Sequence, residues 1–253
     1  MLKTKTIPSF ASLIVVMLLN VSFCNFADAQ STTKKETKMG AKKMDAKASK
    51  ASDEVMVLFD GKSLEHFRSY KTDEVGKGWK IDNGTLMFDG ENGGGDIMTK
   101  AQYDNFELMF DWKIAEGSNS GVMYRVSTGD SASYFSGPEY QILDDSKHKD
   151  GSIEFTSAGS LYALYKPKDK KLKKVGEWNS AKIVLNGNKV EHWLNGKKVV
   201  SAELGSDDWN KRVNESKFKK WKKFGKNAKG HICFQDHGDK VWFRDIKIKP
   251  IKK

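Results

Sequence analysis

Hydrophobic and polar residues alternate with a period of two through most of the chain beyond residue 55, and this period is typical of β-strands. The clearest case is residues 106–114, FELMFDWKI, where five large apolar side chains fall on one face. Such a face predicts a core strand of a sandwich. Shorter segments of the same kind lie at residues 57–59, 79–88, 97–99, 161–165, 178–185, 190–194, 198–204, 231–235 and 241–248.

Turn signals separate these segments at short intervals. Asn83-Gly84, Asn186-Gly187 and Asn195-Gly196 are dipeptides typical of two-residue β-hairpin turns. His237-Gly238-Asp239 predicts a further turn between the last two strands, which we expect to pair as a closing hairpin. Many short strands, regular turns and almost no helix predict an all-β fold, an antiparallel β-sandwich or jelly roll.

Residues 119–145 contain two predicted strands that each combine an apolar face with a polar one. The apolar faces would hold Val122, Tyr124 and Val126 in the first strand and Tyr140 and Ile142 in the second. The opposite faces would hold Asn119, Met123 and Arg125 in the first strand and Glu139, Gln141 and Leu143 in the second. Because a core needs only one face of a strand, we interpret the polar faces as a ligand-binding surface.

The amino terminus has the pattern of a secretory signal peptide over residues 1–29. Two lysines precede an apolar run over residues 7–23, and a small-x-small site follows at residues 27–29. Cleavage there would leave a mature chain that begins at Gln30, in the periplasm or outside the cell. Lipoprotein anchoring through Cys24 is less favoured, since the bulky Phe23 precedes it. No later stretch is long and apolar enough to span a bilayer.

The mature chain then divides into a tether and one domain. Residues 30–54 are rich in Lys, Ala, Ser and Thr and lack aromatic residues, so they bury too little apolar surface to fold and are predicted to be a disordered tether. Residues 55–253 supply enough apolar sequence for one large β domain. Loss of Cys24 with the signal leaves Cys233 alone, so no intrachain disulfide can form, and its strand pattern favours a packed thiol over a nucleophile.

The formal net charge is +11, but it comes mostly from lysine runs. Nucleic-acid binding favours arginine interleaved with aromatics, so we interpret these runs as solvated surface and predict no nucleic-acid partner. The runs lie at residues 34–50, 166–174 and 211–229. In the third, Phe218, Trp221 and Phe224 recur every three residues, which predicts an amphipathic helix with its aromatic side docked on the domain.

The common sequence types of metal site are excluded. The two cysteines are too far apart for a cysteine-based zinc site, and the chain has neither a His-x-x-x-His pair nor an EF-hand loop. A divalent metal held by residues from separate strands remains open, so the cofactor is unknown.

Glu139 is the strongest candidate for chemistry, because it is a carboxylate at a central strand position with core residues on the opposite face. Its pattern alone fits a structural ion pair with Arg125 and a functional site equally well. If the strand at residues 231–235 neighbours the Glu139 strand, Gln235 and His237 reach the same groove as Arg125, Glu139 and Gln141. A polar groove with aromatics nearby suits sugars, whose hydroxyls need hydrogen bonds and whose ring faces stack.

Other acids and histidines have ordinary structural interpretations. Asp144 and Asp145 follow a strand and can initiate a turn, His148 lies in a polar loop, and Asp236 and His237 precede Gly238 in a hairpin. Each of these is expected to be structural when taken singly.

The order of several motifs along residues 55–251 resembles the 3-keto-disaccharide hydrolase domain family. The motifs are Leu58-Phe59-Asp60-Gly61-Lys62, the strand from Phe106 to Trp112, Asn119-Ser120-Gly121, Gly137 to Asp144, Gly176-Glu177-Trp178-Asn179, Leu194-Asn195-Gly196, Gln235-Asp236-His237-Gly238 and Phe243-Arg244-Asp245-Ile246. Two positions depart from the family's pattern, Pro138 before Glu139 and Asp245 after Phe-Arg.

The resemblance implies a concanavalin A-like jelly roll, export to the periplasm or cell surface, and cleavage of glycosides already oxidised at C3. A 3-keto group acidifies the C2 hydrogen, so a base can abstract it and the C1 substituent can leave by elimination, after which water can add. We hypothesise that Glu139 and His237 are the base and acid, in either order. Substrate-binding residues would be Arg125 and Gln141 at the ketone or hydroxyl oxygens, with Asn119, Asp144, Tyr162 and Gln235. The alternative is a non-catalytic, lectin-like carbohydrate-binding module of the cell envelope.

Overall fold

The computed structural model describes residues 54–252, which form two antiparallel β-sheets. In chain order the strands are β1 (Met56–Phe59), β2 (Phe67–Ser69), β3 (Trp79–Asp82), β4 (Thr85–Phe88), β5 (Ile97–Thr99), β6 (Phe106–Ile114), β7 (Asn119–Val126), β8 (Glu139–Leu143), β9 (Asn179–Asn186), β10 (Lys189–Leu194), β11 (Lys197–Glu203), β12 (His231–Phe234) and β13 (Val241–Pro250). One sheet has the order β11-β10-β9-β6-β13-β4-β3 with β1 also paired to β13, and the other has the order β2-β5-β12-β7-β8.

The two sheets enclose one aromatic core. The predicted alternation of β6 is confirmed, since every second residue from Phe106 to Ile114 is buried and the others are half-buried. Phe110 of β6 packs edge-on against Tyr140 of β8 and Phe234 of β12, with ring centroids 5.9 and 6.2 Å apart. Because these three rings come from both sheets, the all-β sandwich is confirmed as predicted.

The hairpin turns follow the sequence signals closely. Asn83-Gly84 and Asn195-Gly196 both have positive φ at each position, which is the type I′ geometry that joins β3 to β4 and β10 to β11. Asn186 instead pairs with Lys189, so the turn between β9 and β10 is Gly187-Asn188, one residue later than predicted.

The predicted closing hairpin is wrong. β12 pairs with β5 and β7, whereas β13 pairs with β1, β4 and β6 in the other sheet. The segment from Gln235 to Lys240 therefore crosses between the sheets. This crossing places Gln235 and His237 at the end of the five-stranded sheet, beside β7.

Residues 161–165 are not the predicted strand. Leu161 makes isolated bridges to Tyr140 and Tyr165, with a turn between them. The preceding loop protects the edge of β8, because the Gly159 N–H donates to Gln141 O (2.8 Å) and the Tyr162 N–H donates to Glu139 O (3.0 Å).

The basic aromatic segment also differs from the single predicted helix. It begins with α1 (Asp207–Glu215) and continues with a 3-10 turn (Lys217–Lys220). Ser206 and Ser216 each cap the element that follows them through a side-chain oxygen, so the chain restarts at Ser216 instead of extending α1. The docking of the aromatics is nevertheless confirmed, since Phe218 and Phe224 are buried in the core.

Three further 3-10 turns lie in the loops, at Ser133–Phe135, Lys149–Ser152 and Glu154–Thr156. In the part of the chain that the structure describes, no helix has the length and apolar character needed to cross a membrane. The predicted signal peptide (residues 1–29) and the tether up to residue 53 lie outside the described residues.

Candidate active site

A cavity of ≈ 260 Å³ lies on the face of the five-stranded sheet that points away from the core. Strands β7 and β8, the end of β12, and loops from three other parts of the chain surround it. The lining residues are Asn119, Tyr134, Glu139, Gln141, Tyr162, Lys217, Phe218, Trp221, Gln235 and His237. Six of the eight residues predicted for the site are therefore brought together here: Asn119, Glu139, Gln141, Tyr162, Gln235 and His237.

Strand pairing explains why residues distant in sequence meet at the cavity. Gln141 of β8 lies opposite Gly121 of β7. On the other side of β7, the Gln235 N–H donates to Gly121 O (2.9 Å), and the Ser120 hydroxyl donates to Gln235 O (2.9 Å). The order β12-β7-β8 thus puts Gln235 and Gln141 on either side of the same strand.

Glu139 is the buried carboxyl group of the cavity, with 9% of its surface exposed. Gly121 makes room for it, because a Cβ at that position would overlap the carboxyl oxygen Oε1. Burial raises the pKa of Glu139 to about 8; the charge of Lys217 opposes this rise, and the charge of Asp96 adds to it. Glu139 therefore holds its proton at neutral pH.

His237 is held between Asn119 and Asp239. The Asn119 side-chain nitrogen lies 3.3 Å from His237 Nε2, and Asp239 Oδ2 lies 3.6 Å from His237 Nδ1. Asp239 is itself fixed by the Asn119 N–H (3.0 Å). With this assignment of the amide, the imidazole accepts the Asn119 hydrogen bond at Nε2 and carries its proton on Nδ1, the nitrogen that faces Asp239.

Several buried amide atoms in the cavity have no hydrogen-bond partner within residues 54–252. They are Asn119 Oδ1, Gln235 Oε1, and both Oε1 and Nε2 of Gln141. Leaving a buried polar atom unpaired costs about 1–3 kcal/mol. Half of the eight such atoms among the described residues belong to residues of this cavity, which makes it a candidate site for a ligand that both donates and accepts hydrogen bonds.

Tyr162 and Lys217 form one wall. The Tyr162 hydroxyl donates to Asp150 Oδ2 (3.4 Å). Burial, with the nearby charges of Asp150 and Glu139, raises the pKa of Tyr162 to about 12, so the phenol keeps its proton. Lys217 Nζ lies 4.5 Å from the centroid of the Tyr162 ring.

The aromatic part of the cavity was not predicted as site. Trp221 packs against Tyr134 and Phe135, with ring centroids 5.4 and 4.9 Å apart. The sequence predicts Phe218 and Trp221 only as a docking face, and Tyr134 belongs to no periodic pattern. The signal that was available is the aromatic spacing in the basic segment, which marks a surface but does not say what it covers.

The expectation that Arg125 shares this groove is wrong. β7 has two residues, Tyr124 and Arg125, opposite the single residue Ile232 of β12, and Arg125 has a φ of 56°. This β-bulge reverses the alternation, so the Arg125 guanidinium donates to Gly187 O (2.5 Å) and Asn188 Oδ1 (3.4 Å) in the turn between β9 and β10.

The same bulge overturns the predicted position of Val126. Its side chain joins Met123 and Cys233 in a small cluster apart from the main core, not Val122 and Tyr124 within it. Cys233 is a fully buried thiol there, and burial raises its pKa well above the usual range, as expected of a packed residue.

Asp144 also lies outside the cavity, contrary to prediction. It accepts hydrogen bonds from the Gly117 N–H (2.7 Å), the Ser146 N–H (2.9 Å) and the Ser146 hydroxyl (2.6 Å). Burial would raise the pKa of Asp144, but these bonds outweigh it and hold the pKa below the usual range. Asp144 is a turn residue that connects the end of β8 to the start of β7.

A metal site is not preformed among the described residues. Within residues 54–252, no three His, Cys, Asp or Glu side chains are grouped so that they could hold a metal ion. The acidic and imidazole groups on the cavity itself are Glu139, at the start of β8, and His237, in the segment that crosses from β12 to β13.

The fold places this protein in the class of all-β antiparallel sandwiches, here with a polar, partly aromatic cavity on the five-stranded sheet. More specifically, the chain belongs to the 3-keto-alpha-glucoside-1,2-lyase-like domain family, whose sequence profile matches residues 54–249. The resemblance seen in the sequence motifs is thereby confirmed.

Relatives support the same assignment. The chain is similar to a 3-keto-disaccharide hydrolase of Bacteroides thetaiotaomicron, with 35% identity over 228 residues that cover 78% of this chain and 79% of the relative. It is also similar to two crystal structures of candidate glycosyl hydrolases from Parabacteroides distasonis. The first has 36% identity and a TM-score of 0.74, covering 78% of this chain and 94% of that one. The second has 31% identity and a TM-score of 0.60, covering 78% and 100%.

Proposed function

We propose that this protein is a carbohydrate-acting hydrolase that cleaves 3-keto-glycosides or 3-keto-disaccharides. The observation that carries the proposal is that a protonated acid, Glu139, and an oriented imidazole, His237, share one cavity with four unpaired amide atoms. The similarity to a 3-keto-disaccharide hydrolase supports the choice of substrate.

The amide groups are suited to hold the sugar ring. Asn119, Gln141 and Gln235 offer both donors and acceptors, which matches hydroxyl groups that do both. Trp221 and Tyr134 offer ring faces on which a second sugar or other aglycone can stack. The cavity of ≈ 260 Å³ is of a size that suits a single sugar ring.

His237 is assigned as the base that removes the C2 proton. The sugar takes the place of the Asn119 amide at Nε2, which then accepts the proton. Asp239 faces Nδ1 on the opposite side of the ring, where it stabilises the imidazolium that forms. The electron pair of the broken C2–H bond moves toward the C3 oxygen and gives an enediolate.

Glu139 is assigned as the acid that protonates the leaving group. It retains its proton at neutral pH, so it can donate as the C1–O bond breaks and the enediolate electrons form the C1–C2 double bond. The products are an aglycone with a free hydroxyl and a 3-keto-glycal. Addition of water, hydroxyl to C1 and hydrogen to C2, completes hydrolysis, whereas release before this addition makes the reaction a lyase reaction.

The test is aglycone release from a 3-keto-glucoside, together with exchange of the C2 hydrogen in deuterated water. We expect Glu139→Gln to lose release but keep C2 exchange, and His237→Ala to lose both. Wild-type rates in both variants would overturn the assignment. Release should be measured with and without a chelator, because a divalent metal could also stabilise the enediolate.

The second candidate is a non-catalytic, lectin-like module, favoured by the aromatic rings of Trp221 and Tyr134 on a cavity lined by amides. It predicts binding of plain glycans with no turnover of a 3-keto substrate. The net charge of +11 suggests a third role, anchoring to an acidic polymer, for which retention should fall as salt is raised.

We propose that the protein acts in the periplasm or is secreted, on the signal-peptide pattern of residues 1–29. Amino-terminal sequencing of the mature protein should then begin at Gln30. A chain that begins at Cys24 and carries lipid would instead establish the lipoprotein alternative.

A further inference from the structure

The cavity contains a single permanent cation. Of its lining residues, only Lys217 is a lysine or arginine. Across residues 54–252, no carboxylate lies within 4.0 Å of Lys217 Nζ, whereas Lys223 of the same segment pairs with Asp130 at 3.2 Å. The positive charge of Lys217 is therefore available to a ligand.

The fold holds Lys217 at this place. The Ser216 hydroxyl accepts from the Phe218 N–H (3.2 Å) and so begins the 3-10 turn that contains Lys217. Phe218 is buried and stacks on Phe224, with centroids 4.0 Å apart and planes within 6°. Lys217 as a whole is exposed, but its ammonium group lies against aromatic rings, with Nζ 4.5 Å from the Tyr162 centroid and 5.5 Å from that of Phe218.

The neighbouring acid does not cancel this charge at neutral pH. Glu139 lines the same cavity, and the charge of Lys217 lowers its pKa, which shows that the two groups interact. Burial nevertheless keeps Glu139 protonated, with a pKa of about 8. A neutral acid and a positive ammonium group therefore coexist in the cavity before any substrate charge develops.

We propose that Lys217 is a catalytic residue that stabilises the negative charge developing on the C3 oxygen of the 3-keto sugar; this inference rests on the proposed function. When His237 removes the C2 proton, the C2–H electron pair forms the C2–C3 double bond and the carbonyl pair moves onto the C3 oxygen. A cation beside that oxygen lowers the barrier. Arg125 cannot act in its place, because the turn between β9 and β10 binds its guanidinium.

The test compares Lys217→Met, Lys217→Arg and Lys220→Met. Lys220 is a matched control, because it is exposed in the same 3-10 turn and does not line the cavity. Three quantities are measured for each protein: the rate of C2 exchange in a 3-keto-glucoside, the rate of aglycone release, and the Kd for the unoxidised glucoside.

We expect Lys217→Met to slow C2 exchange by about 10²–10³-fold, the cost of removing one group that stabilises an oxyanion. Its Kd for the unoxidised glucoside should stay at the wild-type value, because that sugar develops no charge. Lys217→Arg should recover most of the exchange rate, and Lys220→Met should behave as wild type.

Two different failures can be separated. Wild-type protein that exchanges C2 and releases aglycone, with Lys217→Met unchanged, would overturn the role of Lys217 and leave the proposed function intact. Wild-type protein that binds the glucoside without exchange or release would overturn both. A loss of glucoside binding in Lys217→Met equal to its loss of exchange would reduce Lys217 to a binding residue.

Discussion

The two ends of β8 carry buried carboxyl groups that are in opposite chemical states. Glu139 at the start of the strand has 9% of its surface exposed, and Asp144 just past its end has 3%. Within residues 54–252, no side-chain hydrogen bond or ion pair reaches Glu139, and its pKa rises to about 8. Asp144 accepts bonds from Gly117 and Ser146, and its pKa lies below the usual range.

Burial alone therefore does not distinguish a structural acid from a functional one. A carboxylate that the fold surrounds with donors is ionised and holds two segments together, as Asp144 does. A carboxyl group buried beside a glycine and given no donor stays neutral, at an energetic cost that no structural contact offsets. That cost is what makes Glu139, and not Asp144, the candidate for chemistry.

The largest effect that separates these two residues should come from isosteric amide substitutions. We expect Glu139→Gln to lower aglycone release by about 10²–10⁴-fold, because an amide cannot transfer a proton to the leaving group. Asp144→Asn should keep wild-type turnover once folded but lose about 1–3 kcal/mol of unfolding free energy, since an amide accepts fewer of the three hydrogen bonds. Steady-state kinetics and urea unfolding measure the two quantities.

The distinction between a functional Glu139 and a structural Asp144 would be contradicted if Asp144→Asn lost activity at unchanged stability, since Asp144 would then act on the substrate. It would also be broken if Glu139→Gln unfolded more readily than wild type at pH 7, because that would make Glu139 a structural group.

A methyl group at Gly121 should have the next largest effect. The new Cβ would overlap the Glu139 carboxyl group, so the acid must turn away from its place in the cavity. We expect Gly121→Ala to lower aglycone release by about 10–10²-fold, the typical contribution of a well-placed acid or less. Melting temperature checks that the sandwich remains folded.

Gly121→Ala can be tested against a double variant. If the glycine acts only by making room for the acid, adding Gly121→Ala to Glu139→Gln should reduce release by much less than it does in wild type. Fully additive losses would mean that Gly121 serves the substrate or the sheet in some other way.

The sequence predicts most of the fold because the rules that decide it are local. Alternation over residues 106–114 identifies a core strand, and Asn83-Gly84 and Asn195-Gly196 identify turns that need positive φ. The prediction of a closing hairpin failed because the same turn residues occur whether the two strands pair with each other or enter different sheets. Only the pairing of β12 with β7 decides between them.

The site was predictable only where alternation continues without interruption. Glu139 and Gln141 keep the regular period of β8 and reach the cavity. Arg125 is itself part of a bulge that no glycine or proline in the sequence indicates, and the extra residue turns its side chain away from the cavity. Lys217 and Trp221 reach the cavity through tertiary packing of a distant segment, which no periodicity within that segment can specify.

Stability should depend on pH in opposite directions at the two ends of β8. Glu139 has a raised folded pKa, so the folded state binds a proton that the unfolded state has released, and stability falls as pH rises from about 5 to 8. Glu139→Gln removes this dependence. We expect the difference in unfolding free energy, Glu139→Gln minus wild type, to increase by about 1.4 kcal/mol for each unit by which the pH rises in this range.

Asp144 makes stability depend on pH in the opposite direction. Its folded pKa is lowered, so its contribution is present above the unfolded pKa and is lost as pH falls through the acid range. Urea unfolding of wild type, Glu139→Gln and Asp144→Asn at pH 4 to 9 separates the two effects. A constant difference between Glu139→Gln and wild type across pH 5 to 8 would contradict a neutral Glu139.

The smallest effect on activity should come from Arg125, which lies on β7 but faces away from the cavity. Arg125→Met removes hydrogen bonds to Gly187 and Asn188, and we expect a loss of about 1–3 kcal/mol in unfolding free energy with unchanged kcat and KM in the folded protein. Asn188→Ala removes only the longer of the two bonds and should cost less. A kcat loss in Arg125→Met that persists where the protein is fully folded would mean that Arg125 acts on the substrate, and that the bulge does not turn its side chain away from the cavity.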